Sequence, residues 1–300
     1  MQSNAPQTLY AKANGMELAY DCFGDPSAPP LVLIMGLGTQ MIAWDESFCA
    51  QLAARGYYVV RFDNRDIGLS TKLHQAKVPN VTRLMALSML GLTLLQRVPY
   101  TLADMANDTV GLMDALGIAS AHIVGASMGG AIAQEVALRY GERVRTMTSI
   151  MSTSGARGLP PPSPEAMAVL TSPTPTDRAG YIARSQRAAR ALRNGHFPEE
   201  DALDEARAIR AYDRSVNPAG FTRQLAAIIA SGSRRDRLKS LRTPTLVIHG
   251  DADPLVHIAC GRDVAQHVPG AKMVTVPRMG HTLPRWAWPQ IIDAIAAHAV

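Results

Sequence analysis

Three residue types that together perform acyl transfer stand far apart in this chain. They are Ser127 in "GASMGG" (125–130), Asp253 in "HGDADPLV" (249–256) and His281 in "RMGH" (278–281). A serine hydroxyl is a weak nucleophile until a base takes its proton. The spacing Gly125-Ala126-Ser127-Met128-Gly129 follows an apolar run and precedes an amphipathic one. That pattern makes a sharp strand-to-helix turn, which lifts the hydroxyl above a sheet and aims the next N–H at the same point. Such an elbow is followed along the chain by an acid and then a histidine. His281, on the loop after the last apolar run, is expected to act as general base towards Ser127 and then as acid towards the leaving group. Asp253 would hold the imidazole tautomer and stabilise the imidazolium, and Asp251 reads as a turn residue capping its own backbone.

Acyl transfer also needs donors for the developing oxyanion, because losing one costs roughly a hundred- to a thousandfold in rate. The Met128 N–H follows the nucleophile. The Leu37 N–H, after Gly36 in the loop "MGLG" (35–38), is the second candidate. Gly36, Leu255 and His257 are expected to line the substrate pocket. His122 and His249 fall within or beside strands and read as structural. His74, His196, His267 and His298 fall on loops or helices with no strand end beneath them.

The elements around these residues alternate in type. "TLYAKANGMELAYDCF" reads as two strands turning at Asn14-Gly15. "PPLVLIMGLG", "YYVVRFDNRDIGLS", "AHIVGASMGG", "VRTMTSIMS", "TPTLVIHGDADPLV" and "AKMVTVPRMGH" are short apolar runs ending in polar loops. Helical patterns separate them, including "WDESFCAQLAARG" and "TLADMANDTVGLMDALGI", the latter with Thr101 as N-cap. This order predicts an α/β fold, a mostly parallel sheet with helices on both faces. Ligands bind such sheets at the carboxyl ends of the strands, where Ser127, Asp253 and His281 fall.

Two stretches interrupt the alternation. Residues 156–235, opened by "GLPPPSP", read as a helical lid. Residues 76–100 form a small apolar insertion near the site, with Leu84, Met85, Leu87, Met89, Leu90, Leu92, Leu94 and Leu95 expected to wall it. Residues 1–75, 101–155 and 236–300 make the core. Arg184, Arg187, Arg190 and Arg193 read as a solvated face of a lid helix. The apolar part of 76–100 is too short to span a bilayer, which takes ~20 residues. Its flanks Arg83 and Arg97 would permit contact with an anionic lipid surface.

Composition narrows the function class. The net charge of +5 is spread along the chain and aromatics are 5%, so the dense basic patch of a nucleic-acid binder is missing. Cys22, Cys49 and Cys260 show no metal-ligand spacing and do not form a disulfide framework. No apolar leader follows the N-terminus, so a cytoplasmic location is expected. With no glycine-rich phosphate or dinucleotide loop, neither cofactor nor metal is expected.

With these motifs in hand, the chain resembles a serine α/β-hydrolase over nearly its whole length. "GASMGG", "HGDADPLV" and "RMGH" match that family's elbow, acid loop and histidine loop. "DNRDIGLS" resembles its D-x-R-G-x-G-x-S strand end, with Asp66 in place of glycine, a departure that a surface loop would tolerate. Met35 replaces the common histidine of the oxyanion loop. The Met-Gly loop and "FDNRDIGLST" are similar to the aclacinomycin methylesterase branch. That resemblance implies cleavage of a carboxylic ester through an acyl-serine on Ser127, with His281, Asp253 and the Leu37 and Met128 N–H groups assisting. The partner would be a small-molecule ester, apolar or aromatic, with a small to medium acyl group or a methyl ester. Two alternatives stand beside it. One is a C–C bond hydrolase of ring-cleavage products, a group that usually carries asparagine at the position of Ala126. The other is a ligand-binding receptor on a hydrolase core.

Overall fold

The computed structural model describes residues 6–92, 97–194 and 197–300. Leu94, Leu95 and His196 lie outside the described residues. Eight strands form one sheet: β1 (Leu9–Ala13), β2 (Met16–Phe23), β3 (Pro30–Ile34), β4 (Tyr58–Phe62), β5 (Ala121–Ala126), β6 (Val144–Ile150), β7 (Thr245–Gly250) and β8 (Lys272–Val276). Their spatial order is β1-β2-β4-β3-β5-β6-β7-β8. β1 and β2 pair antiparallel, β2 joins β4 antiparallel, and the other pairs are parallel. The chain leaves β3 to one side for β4 and returns to its other side for β5. A crevice therefore opens between the ends of β3 and β5, where the winding direction reverses.

The central parallel strands are buried along almost their whole length because both faces are covered, and most of their residues are apolar. One face packs Ile123 and Val247 against α3 (Leu102–Ala115), α4 (Met128–Arg139), α9 (Arg235–Leu238) and α10 (Ile258–His267). The other packs Val124 and Ile248 against α1 (Glu46–Ala54) and α11 (Trp288–His298). Helix starts follow the sequence signals. Asp45 caps α1, and Thr101 forms a reciprocal capping box with Asp104 on α3.

Between β6 and β7 lie α5 (Pro164–Thr171), α6 (Arg178–Leu192), α7 (Asp201–Arg214) and α8 (Pro218–Ser231). α2 (Val81–Met89) precedes α3 and packs on α8. Two sequence expectations change here. Asp66 is fully buried, not on a surface loop. Its φ of 71° occupies the region that favours glycine, and its carboxylate takes two hydrogen bonds from buried Arg223 of α8 (2.7 and 2.8 Å), one from the Tyr100 hydroxyl and one from the Leu73 N–H. With Asn217 donating to the Asp66 carbonyl (2.9 Å), this residue bolts α8 to the core. The arginine row is not one solvated face either. Each three-residue step falls about 60° short of a full turn, so three steps carry Arg193 about half a turn from Arg184. Arg187 and Arg190 are exposed, but Arg184 is half-buried and Arg193 is buried against Asp201 and Asp204.

Candidate active site

Ser127 links β5 to α4 with φ 57° and ψ −120°, a backbone conformation that costs a non-glycine residue about 1–3 kcal/mol and persists only where its surroundings enforce it. Here the Ser127 N–H donates to the Ile150 carbonyl (2.9 Å), and the Ser152 hydroxyl donates to the Ser127 carbonyl (2.7 Å). The flanking glycines have a steric cause. A Cβ on Gly125 would overlap the Gly129 carbonyl, and one on Gly129 would overlap the Ile34 carbonyl. Side chains at either place would push α4 off the ends of β3 and β5.

His281 Nε2 lies 2.9 Å from Ser127 Oγ, and its Nδ1 lies 2.8 Å from Asp253 Oδ2. Asp253 Oδ1 accepts from the Leu255 and Val256 N–H groups (2.9 and 2.8 Å), which fixes the carboxylate orientation. With Asp253 as acceptor the imidazole proton sits on Nδ1, leaving the Nε2 lone pair for the serine hydroxyl. Both side chains are almost wholly buried. Behind them, His249 donates from Nε2 to the Val256 carbonyl (2.7 Å), 3.6 Å from Asp253 Oδ2. Burial pushes the His249 pKa down more strongly than Asp253 pushes it up, which disfavours a second cation beside the carboxylate. Asp251 does not cap its own backbone as expected: its carboxylate accepts the Arg278 N–H (2.6 Å) and braces the histidine loop, while the local backbone donors go to Asp253. The His281 N–H donates to the carbonyl of Leu192, the last residue of α6 (2.7 Å).

Gly36 brings the loop after β3 against the elbow, since a Cβ on it would lie 3.0 Å from Ser127 Cβ and 3.5 Å from Oγ. Asn64 donates to the Met35 carbonyl (2.9 Å), and the Gly38 N–H donates to Gln224 of α8 (2.9 Å). Among the described residues, the N–H groups of Leu37 and Met128 have no protein acceptor.

Ser127 and His281 face a cavity of about 370 Å³, bounded by Gly36, Leu37 and Leu255 from the core side. Leu170 of α5, Tyr181 and Leu192 of α6, Ala208 of α7 and Phe221 of α8 close it from above. The lining is mainly apolar. Two expectations about it are corrected. His257 is exposed and outside the cavity, because its Nδ1 accepts the Ala259 N–H (3.2 Å) and caps α10. No described residue of 76–100 reaches the cavity either, because α2 packs on the outer side of α8 and Phe221 stands between. Sequence reasoning missed Gln40, whose amide donates to the Ala211 and Ser215 carbonyls (2.7 and 2.8 Å) and ties the loop after β3 to α7. It also missed Gln224. Their neighbours in sequence carry no sign of these long-range partners. Among the described residues no group of three His, Cys, Asp or Glu could hold a metal ion, and no helix is long and apolar enough to cross a membrane.

A strained serine between β5 and α4, with histidine and acid on the loops after β8 and β7, defines an α/β hydrolase. The α/β hydrolase fold family matches residues 29–284, and the chain belongs to it. It is 29% identical over 302 residues to the rhodomycin D methylesterase DauP of Streptomyces sp. (strain C5), covering 92% of each chain. It is 28% identical over 204 residues to the 2-hydroxymuconate semialdehyde hydrolase of Pseudomonas putida, covering 65% of this chain and 66% of the other. Among solved structures, the meta-cleavage product hydrolase of Pseudomonas fluorescens IP01 shares the fold with a TM-score of 0.76 at 21% identity, over 97% of this chain and 96% of that one.

Proposed function

We propose that the protein is a serine esterase that cleaves a carboxylic ester through an acyl-serine on Ser127. The observation that carries this reading is the unbroken chain of hydrogen bonds from Asp253 through His281 to the Ser127 hydroxyl at the floor of an apolar cavity. Ser127 Oγ attacks the ester carbonyl carbon as His281 Nε2 takes the hydroxyl proton. The carbonyl oxygen becomes an oxyanion held by the Leu37 and Met128 N–H groups. His281 returns the proton to the departing alcohol oxygen, leaving the acyl group on Ser127. Water then attacks, its proton passing to His281 and on to Ser127, and the acid leaves. Every step uses the chain's own residues and water.

The substrate class follows from the cavity. About 370 Å³ of mainly apolar space suits a small to medium ester, and the likeness to a methylesterase over 92% of the chain favours a short group on one side of the ester. The helices α5–α8 act as the lid over it. A second reading, C–C bond hydrolysis, draws on the likeness to 2-hydroxymuconate semialdehyde hydrolase and uses the same serine and histidine.

The test is hydrolysis of p-nitrophenyl esters from acetyl to palmitoyl by the wild type and Ser127→Ala. Turnover confined to the wild type, with an optimum at short or medium chains, is expected. Absence of turnover on every ester, with cleavage of a ring-fission diketone instead, would replace the esterase with the C–C hydrolase.

A further inference from the structure

We propose that α2 and the turn after it form a docking face for an anionic lipid surface. α2 buries only Leu84, the residue that faces the body of the protein. Its other large apolar side chains point outward: Met89 is 83% exposed and Leu90 73%, with Val78, Met85 and Leu92 exposed beside them. Clustered exposed apolar side chains of this size mark a surface that something covers.

Charge indicates what covers it. No acidic residue occurs between Asp66 and Asp104, whereas Lys72, Lys77, Arg83 and Arg97 do. Lys77 and Arg83 are exposed along the face. Arg157 reaches across from the loop after β6 to donate to the Ser88 carbonyl, which places another cation at the C-terminal end of α2. Exposed apolar residues on a stretch whose own charged side chains are all cations match a layer with an apolar interior and anionic headgroups. A second copy of the chain fits less well, because a two-fold contact would set this basic rim against itself.

The position gives the docking a use. A groove of about 450 Å³ runs between α2 and the α5 and α8 helices, lined by Val78, Val81, Met85 and Leu225. Leu170, Thr174 and Phe221 line both this groove and the active-site cavity. An apolar ester dissolved in lipid would meet the groove first and the cavity one side chain further in. Only this last step rests on the esterase reading.

The experiment is flotation of the full chain with vesicles of phosphatidylcholine alone and of phosphatidylcholine with phosphatidylglycerol. Two double variants accompany it, Met89→Asp with Leu90→Asp and Lys77→Glu with Arg83→Glu. The wild type is expected to float with the anionic vesicles alone, less so at high salt. Each double variant should lose about tenfold in partitioning while hydrolysing soluble p-nitrophenyl butyrate as before. Wild type that ignores both vesicles, or variants that float equally well, would overturn the proposal. So would a wild-type dimer that the variants dissociate, which would assign the face to a second copy. Flotation is read without turnover, so a protein that floats but hydrolyses nothing removes the esterase and leaves the docking face standing.

Discussion

Replacing Asp66 by glycine restores the residue usual at this position in the resembling family, yet it should destabilise this protein. The backbone favours the change, since φ 71° strains an aspartate by about 1 kcal/mol relative to glycine. The side chain opposes it more strongly. Arg223 is 1% exposed and its guanidinium donates twice to this carboxylate, while the Tyr100 hydroxyl and the Leu73 N–H lose the same acceptor. Removing one partner of a buried pair costs roughly 3–5 kcal/mol, because the other charge is stranded away from water. The net loss is about 2–4 kcal/mol. At about 2 °C per kcal/mol for a chain of this size, Tm should fall by about 4–8 °C. Thermal unfolding followed by circular dichroism measures this for Asp66→Gly, Arg223→Leu and the double variant, and the double should lose less than the sum. The pair also has a pH signature. Burial pushes the Asp66 pKa up, but hydrogen bonds from Arg223, Leu73 and Tyr100 together hold it below the ordinary carboxylate value. Its contribution is therefore present above the unfolded pKa and is lost as pH falls through the folded one. An unchanged or higher Tm in Asp66→Gly would refute the role of this pair in holding α8.

Three further outcomes are expected. Gly36→Ala places a methyl 3.0 Å from Ser127 Cβ and 3.5 Å from its hydroxyl, so kcat should drop by about a hundredfold with little change in Tm, as steady-state kinetics and a melt would show. Asp253→Asn keeps the geometry but offers His281 the wrong partner for its tautomer, and kcat should fall by about 10⁴ while the fold is retained. His122, buried on β5 against Thr146, has its pKa pushed down to about 4 by burial and then by Arg145 and His298. The unfolded chain takes up this proton near pH 6.5 and the folded one near 4, so stability should decline as pH falls through that window. Urea midpoints compared between the wild type and His122→Gln at pH 7 and pH 5 would show a shallower decline in the variant.

The alternation of apolar runs and helical patterns was enough to read the sheet, because strands buried on both faces are mostly short apolar runs. That Ser127, Asp253 and His281 would come together was legible for a related reason: each lies in the turn or loop after a strand, and the glycines around the serine record close backbone contacts. Residues acting across long sequence distances were not legible. Asp66 looked like a surface departure because its partner Arg223 lies 157 residues away. Gln224, holding the Gly38 N–H from 186 residues away, left no trace at either end. His257 and the described leucines and methionines of 84–92 were misplaced because residue type says that a side chain is apolar or titratable, not towards which cavity it turns. The apolar composition of this insertion was equally compatible with facing the site and with facing outward, and the packing of α2 against α8 decided it.

The central claim is that Ser127 carries the acyl group. Rapid quenching of the wild type with p-nitrophenyl acetate in acid, followed by intact mass and peptide mapping, observes this directly. One acetyl group per chain is expected on the peptide that contains Ser127, formed in a burst with p-nitrophenol and absent in Ser127→Ala. Steady p-nitrophenol release with no acetyl on Ser127, or an acetyl group on another residue, would contradict it.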